Sequence, residues 1–75
     1  MKTNEFENFF FYLTDKCRAL KGKEITPELK STWELVFAPI AFHDAIAAVN
    51  YWIGNETFTP TPAELISHSR RVGAA

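Results

Sequence analysis

The chain has 75 residues, 47% hydrophobic and 15% aromatic, with a net charge of −1 at neutral pH. This length accommodates one hydrophobic core, so we expect a single domain over residues 1–75, and the apolar fraction argues against disorder. The balanced charge argues against a strongly basic nucleic-acid-binding domain, and one cysteine with two histidines offers neither an internal disulfide nor a good metal-ligand set.

The first predicted helix covers residues 5–21. Asn4 is the expected N-cap, and Glu7 follows at the spacing of a capping box. Gly22 is expected to end the helix, after a last turn whose basic residues complement the helix dipole. The apolar residues recur with the period of a single helix face, at Phe6, Phe9, Phe10, Leu13, Cys17 and Leu20.

Two further helices are predicted in the middle of the chain. Thr26-Pro27-Glu28 is a typical helix start and predicts a helix over residues 27–37, which Pro39 ends. The next helix is predicted over residues 41–53, with Gly54-Asn55 as a left-handed stop. It is apolar nearly all round, which is typical of the central, buried helix of a bundle. The apolar stripe expected for the earlier helix is Leu29, Trp33, Val36 and Phe37.

The fourth predicted helix covers residues 62–71 and follows a stiff segment with prolines on both sides of Thr61. Thr61 and Glu64 have the spacing of a capping box. Phe58, just before this segment, is expected to anchor it to the core, and residues 73–75 are expected to fray.

Four helices without a hairpin signal or a strand–helix alternation predict an all-α fold, a compact orthogonal bundle of four helices. No run of apolar residues reaches the roughly 20 that a membrane span requires. The chain also lacks a basic N-terminal segment followed by a long apolar run. We therefore expect no membrane association and a cytoplasmic location.

The residues that could carry chemistry all have simpler explanations. His43 and Asp44 are adjacent, and because adjacent helical residues point about 100° apart, we expect a solvated pair that does not face one another. His68 is expected at the edge of a packed face, and Cys17 to be a buried, unreactive thiol. We therefore predict no catalytic, cofactor-binding or metal-binding residues, and a protein that is not an enzyme.

Aromatic side chains outside the apolar faces are the candidates for a binding surface. Exposed aromatic residues are typical interface anchors, and basic residues near helix ends would supply rim charges. Burial between other helices is the alternative for the aromatic residues. The candidate partner-binding surface comprises Phe11, Tyr12, Arg18, Tyr51, Arg70 and Arg71.

Several segments occur in a distinctive order. A phenylalanine-rich first helix precedes Thr26-Pro27-Glu28, Trp33-Glu34-Leu35, the alanine-rich residues 45–48, and Pro60-Thr61-Pro62-Ala63-Glu64-Leu65-Ile66. In this order, over residues 6–70, the chain resembles the N-terminal domain of the replicative-helicase loader and inhibitor family of phages that infect Gram-positive bacteria. The resemblance implies a helical domain without catalytic residues that contacts the replicative helicase and the origin-bound initiator protein. It does not extend to the family's C-terminal helicase-binding tail.

The leading hypothesis is therefore a non-catalytic phage or prophage adaptor in DNA replication. Two alternatives stay open. One is a small nucleic-acid-binding domain, which would make weak DNA contacts through basic residues at the ends of the first and fourth helices, namely Lys16, Arg18, Lys21, Arg70 and Arg71. The other is a self-associating regulatory module, a homodimer that would use the aromatic residues as its interface.

Overall fold

Four helices account for most of the chain in this computed structural model, which describes the backbone of residues 1–74 and the side chains of residues 1–69. They are α1 (Thr3–Cys17), α2 (Lys30–Phe37), α3 (Phe42–Asn55) and α4 (Pro62–Ala74), and a 3₁₀ turn (Pro27–Leu29) leads directly into α2. Within residues 1–74 the β-type pairing is one isolated bridge. The predicted all-α bundle of four helices is therefore confirmed.

The start of α1 lies two residues before the predicted one. Lys2 is the N-cap, and its N–H donates to Oε1 of Glu5 at 2.8 Å. The expectation that Asn4 and Glu7 form the cap is therefore wrong, since Glu5 already occupies the position that closes the first turn. Five residues of the predicted apolar stripe are confirmed as the buried face of α1: Phe6, Phe9, Phe10, Leu13 and Cys17. The sixth, Leu20, is half-buried against the core but lies beyond the end of the helix.

The end of α1 lies four residues before the predicted one, at Cys17. The chain leaves the helix because it pairs with the segment before α4. The N–H of Lys21 donates to the carbonyl of Thr57 at 3.0 Å, and the Lys21 carbonyl accepts from the N–H of Thr59 at 2.8 Å. Gly22 follows with a φ of 102°, a backbone conformation that favours glycine.

The predicted bounds of the second helix match the 3₁₀ turn together with α2. Trp33 and Phe37 are buried as predicted, and Val36 packs half-buried against the core. Leu29 is 42% exposed, so its assignment to the apolar stripe is wrong. The reason is geometric, since Leu29 belongs to the 3₁₀ turn, whose three residues per turn place it out of phase with the α-helix that follows.

The third helix, α3, continues two residues beyond its predicted end. Gly54 and Asn55 are both helical, and within residues 1–74 the only positive φ angle belongs to Gly22, so the predicted left-handed stop is wrong. The chain instead turns at Glu56, which is extended and donates its N–H to the carbonyl of Trp52 at 2.7 Å. This bond uses one of the last helical carbonyls without a glycine cap.

The N-terminus of α4 has the predicted capping box. The N–H of Glu64 donates to Oγ1 of Thr61 at 3.2 Å, and the N–H of Thr61 donates to Oε1 of Glu64 at 3.0 Å. α4 then continues through Ala74, past the predicted end at residue 71. The first two of the three residues predicted to fray, 73–75, are therefore helical, and the last lies outside the described residues.

Stacked aromatic rings join the helices. Phe9 of α1 and Phe37 of α2 stack with 5.0 Å between ring centroids. α3 lies centrally, packed against both α1 and α4, and buries Ala45, Ala48, Val49 and Trp52. The ring of Phe58 packs edge-on against Trp52 at 5.3 Å, and the Trp52 indole N–H donates to the Phe58 carbonyl at 2.7 Å. Phe58 thus makes the predicted anchoring contact, although its side chain is 41% exposed.

No single helix in the described part of the chain has the length and apolar content to cross a membrane. The bent pair Pro27–Phe37 and Phe42–Asn55 reaches that length and composition jointly, with a bend of 119° between the segments. Three large apolar side chains of this pair, Trp33, Phe37 and Trp52, are buried in the domain's own core.

Candidate protein-binding surface

A groove of about 550 Å³ lies on the outer side of α1. One wall is α1 itself, and the other is the segment that leads into the 3₁₀ turn and the start of α2. We call it the Phe11 groove. Its lining residues are Glu7, Phe10, Phe11, Thr14 and Arg18 on the α1 side, with Glu24, Ile25, Pro27 and Lys30 opposite.

The floor of the Phe11 groove is apolar, and an aromatic ring lies at its rim. Phe10 and Ile25 are 8% and 7% exposed, whereas Phe11 is 74% exposed. Phe10 and Phe11 differ because neighbouring helical residues point about 100° apart, so the residue after the buried stripe faces solvent. An aromatic ring beside an apolar depression is the arrangement that interface anchors commonly adopt.

Charged side chains lie along both walls of the Phe11 groove. Nζ of Lys30 lies 3.4 Å from Oε1 of Glu7, so the two walls are joined by one ion pair. Arg18, the C-cap of α1, and Glu24 line the same groove, and neither forms an ion pair within residues 1–69.

The two tyrosines predicted as surface residues have different surroundings. Tyr12 is half-buried, its hydroxyl donates to Oδ1 of Asn50 on α3, and Nζ of Lys16 lies 5.4 Å from its ring centroid. Tyr12 therefore joins α1 to α3. Tyr51 is 48% exposed, and its ring lies 5.1 Å from that of His68 on α4.

Of the six residues predicted for the partner-binding surface, the structure brings Phe11 and Arg18 together in one groove. Tyr12 and Tyr51 contact other helices, as described above. Arg70 and Arg71 belong to α4, and their side chains lie outside the described residues. Contact between the basic ends of α1 and α4 therefore stays a prediction.

Two features of the surface were not predicted from the sequence. Ile25 forms part of the groove floor, and the signal for it is its place directly before Thr26, where an apolar residue often fixes the entry of the chain into a helix. Leu35 on α2 is 80% exposed. Its position on the helix could have indicated this exposure. The buried Trp33 and Phe37 lie two residues before and two residues after Leu35, on the opposite side of the helix.

Cys17 is a buried thiol, as predicted, with 5% of its surface exposed. Burial raises its pKa to about 11, because the thiolate is disfavoured away from water. The reactive form is the thiolate, so the folded domain keeps this side chain in its less reactive state.

The two histidines lie at the surface and at the edge of the core. Nε2 of His43 lies 3.3 Å from Oδ1 of Asp44, so the expectation that these neighbours do not face each other is wrong. The 100° separation applies to the Cα–Cβ bonds, and side-chain rotation brings the two groups together. The His43 side chain is 85% exposed, as expected, whereas that of Asp44 is half-buried at 31%. His68 is half-buried, with its ring 5.1 Å from that of Trp52, at the expected edge of the packed face.

No family model, curated protein or solved structure matches this chain. The resemblance to phage helicase loaders therefore rests on the order of sequence motifs. Several of those motif residues serve the fold, since Trp33 and Leu65 are buried and Thr61 with Glu64 forms the cap of α4. Leu35 is instead 80% exposed.

Proposed function

We propose that this chain is a non-catalytic adaptor that binds another protein through the Phe11 groove. The observation that carries the proposal is the combination, in one groove, of a 74% exposed phenylalanine ring, an apolar floor and two charges, Arg18 and Glu24, that form no ion pair among the described side chains. The resemblance to phage helicase loaders supports a role in DNA replication, with the replicative helicase or the origin initiator as partner, in the cytoplasm of a bacterial host.

The geometry of the groove suits a helix or a short peptide of the partner. From Glu7 to Arg18, α1 presents eleven residue steps along the groove, which at 1.5 Å per residue is about 16 Å, or about three helical turns. An amphipathic helix of that length could place an apolar side chain over Phe10 and Ile25. Arg18 and Glu24 would then fix its direction by pairing with opposite charges.

The proposal is tested by measuring binding of the full chain to a purified replicative helicase and a purified origin initiator. Phe11→Ala should weaken binding by about 10- to 100-fold, which is the loss typical of a buried aromatic anchor. Leu35→Ala is the matched control, because Leu35 is equally exposed but does not line the groove. It should bind like the wild type.

Two results would overturn parts of the proposal separately. Absence of binding to both replication proteins would reject the replication role. Binding that is unchanged by Phe11→Ala would reject the groove as the contact surface. Fluorescence anisotropy with a DNA duplex at low and high salt distinguishes the adaptor from a nucleic-acid-binding domain, since the latter would bind tightly at low salt and weakly at high salt.

A further inference from the structure

We infer that the groove face of α1 pairs antiparallel with the same face of a second copy of this chain, so that the free protein is a homodimer with its Phe11 groove covered. Four residues form this face, Glu7, Phe11, Thr14 and Arg18, at spacings of four, three and four residues. Such spacing places them in one row along α1. The dimer itself is argued from α1 alone. Only its regulatory effect, which is to cover the proposed binding surface, rests on the proposed function.

This row of four residues is complementary to the same row of a second copy that runs in the opposite direction. Glu7 and Arg18 lie equally far on either side of the midpoint between Phe11 and Thr14. In an antiparallel pair of α1 helices around a two-fold axis at that midpoint, Glu7 of each copy faces Arg18 of the other. Phe11 of each copy likewise faces Thr14 of the other, because a two-fold interface uses the same patch on both subunits.

The charges select this orientation. A parallel pair in register would place the two Glu7 carboxylates together and the two Arg18 guanidinium groups together, and like charges in contact are disfavoured. The antiparallel pair instead gives two Glu7–Arg18 contacts. Lys30 already holds the Glu7 carboxylate from the groove side at 3.4 Å, whereas Arg18 forms no ion pair within residues 1–69 of a single chain.

The apolar part of the row points to the same occupant. The two Phe11 rings would lie close to the two-fold axis, each against Thr14 and the groove floor of the other copy. Each ring is 74% exposed in the single chain, so pairing removes a large apolar area from water at the centre of the contact. The two Glu7–Arg18 contacts, one at each end, then flank an apolar centre, which is the usual arrangement of a protein interface.

Such a dimer would regulate the adaptor. The groove is covered in the dimer, so a protein that binds the groove must compete with the second copy. Its apparent affinity would fall as the concentration of the chain rises, in proportion to the fraction of free monomer.

Sedimentation velocity of the full chain over a wide concentration range tests the inference. We expect a concentration-dependent rise from the 8.6 kDa chain mass towards twice that value. Arg18→Glu and Glu7→Arg should each weaken dimerisation at least tenfold, because each places like charges opposite one another. The double variant, Glu7→Arg with Arg18→Glu, should restore it, because the opposite charges face each other again.

Lys16→Glu is the matched control for charge. It makes the same change in net charge as Arg18→Glu, but Lys16 lies over the Tyr12 ring and does not line the groove. It should leave dimerisation unchanged. Thermal unfolding followed by circular dichroism establishes that each variant is folded, and the restored double variant serves the same purpose, since a misfolded chain would not regain the dimer.

A monomer at every concentration overturns the inference. So does a dimer that is insensitive to Arg18→Glu, because that result places the interface elsewhere. A different result rejects the proposed function. If the wild type dimerises but no replication protein binds it at concentrations low enough to keep it monomeric, the dimer stands and the adaptor role falls. If the wild type is monomeric at every concentration and binds through Phe11, the adaptor role stands and the dimer falls.

Discussion

Gly22 and Gly54 are expected to respond to alanine with opposite signs. Gly22 has a φ of 102°, and a methyl group added there would lie 3.9 Å from the backbone nitrogen of Thr59, an ordinary van der Waals distance. Steric contact therefore contributes little, and the cost of Gly22→Ala is that of holding a non-glycine residue at positive φ. That conformational strain is about 1–3 kcal/mol. We expect a loss of about 2 kcal/mol in the free energy of unfolding.

Gly54 provides the matched control. It lies inside α3, its φ is not positive, and an added methyl group would meet nothing within 4 Å. Alanine is favoured over glycine in a helix by about 0.5–1 kcal/mol. Gly54→Ala should therefore raise the free energy of unfolding by up to this amount.

Urea denaturation followed by circular dichroism at 222 nm measures both changes in the free energy of unfolding. Thermal unfolding gives the corresponding shifts in Tm, since for a domain of this size 1 kcal/mol corresponds to about 4–8 °C. Gly22→Ala should therefore lower Tm by roughly 8–16 °C, and Gly54→Ala should raise it by a few degrees. A D-alanine at position 22, introduced by chemical synthesis, should keep the wild-type stability, because a D residue prefers positive φ. If both L-alanine variants lose stability equally, or if Gly22→Ala is neutral, the backbone explanation is refuted.

Three further changes have expected outcomes. Thr61→Ala removes the hydroxyl that accepts the N–H of Glu64 at 3.2 Å, and urea denaturation should show a loss of about 1 kcal/mol. Ser69→Ala removes a hydroxyl that is buried without a hydrogen-bond partner in the described part of the chain, so stability should hold or rise by up to about 1 kcal/mol. Ser67→Ala is its exposed control, and a clear loss in Ser69→Ala alone would contradict the reasoning. Burial raises the pKa of Cys17 from 9.0 to about 11, so the folded state retains the thiol proton longer and stability should fall between about pH 9 and pH 11. The free energy of unfolding of the wild type should fall relative to that of Cys17→Ala over that interval. If the two proteins show parallel curves of stability against pH, the ionisation of Cys17 is not coupled to folding.

The features that the sequence predicts well are those that depend on neighbours along the chain. The capping box of Thr61 and Glu64 forms as predicted, because both of its bonds are made within four residues. The buried face of α1 is also predicted, since hydrophobic periodicity fixes which side of a helix meets the core. Trp33 and Phe37 are buried for the same reason.

The features that it misses depend on distant partners. α1 ends early because the backbone of Lys21 pairs with Thr57 and Thr59, which are 36 and 38 residues further along the chain. Hydrogen bonds of this kind use groups that every residue carries, so side-chain patterns give no sign of them. The second wall of the Phe11 groove has the same origin. The early end of α1 lets residues 18–25 run back along the helix, and Ile25 reaches the groove floor only through that path.

Exposure alone does not separate a binding residue from the others in a domain this small. A chain of 75 residues with eleven aromatic side chains has too little interior to bury all of them. Two of the exposed rings already have contacts within the domain, since Tyr51 packs against His68 and Phe58 packs against Trp52. Truncating either would therefore affect folding as well as binding.

Phe11 and Leu35 differ from those rings because they are 74% and 80% exposed, so most of each side chain contributes nothing to the core. Of the two, only Phe11 borders a groove with an apolar floor and charges that no residue in the described part of the chain neutralises. A solitary exposed leucine is common on protein surfaces and needs no partner to explain it. An exposed phenylalanine in a charge-patterned groove is more easily explained by a partner, which is why the binding experiments compare Phe11→Ala with Leu35→Ala.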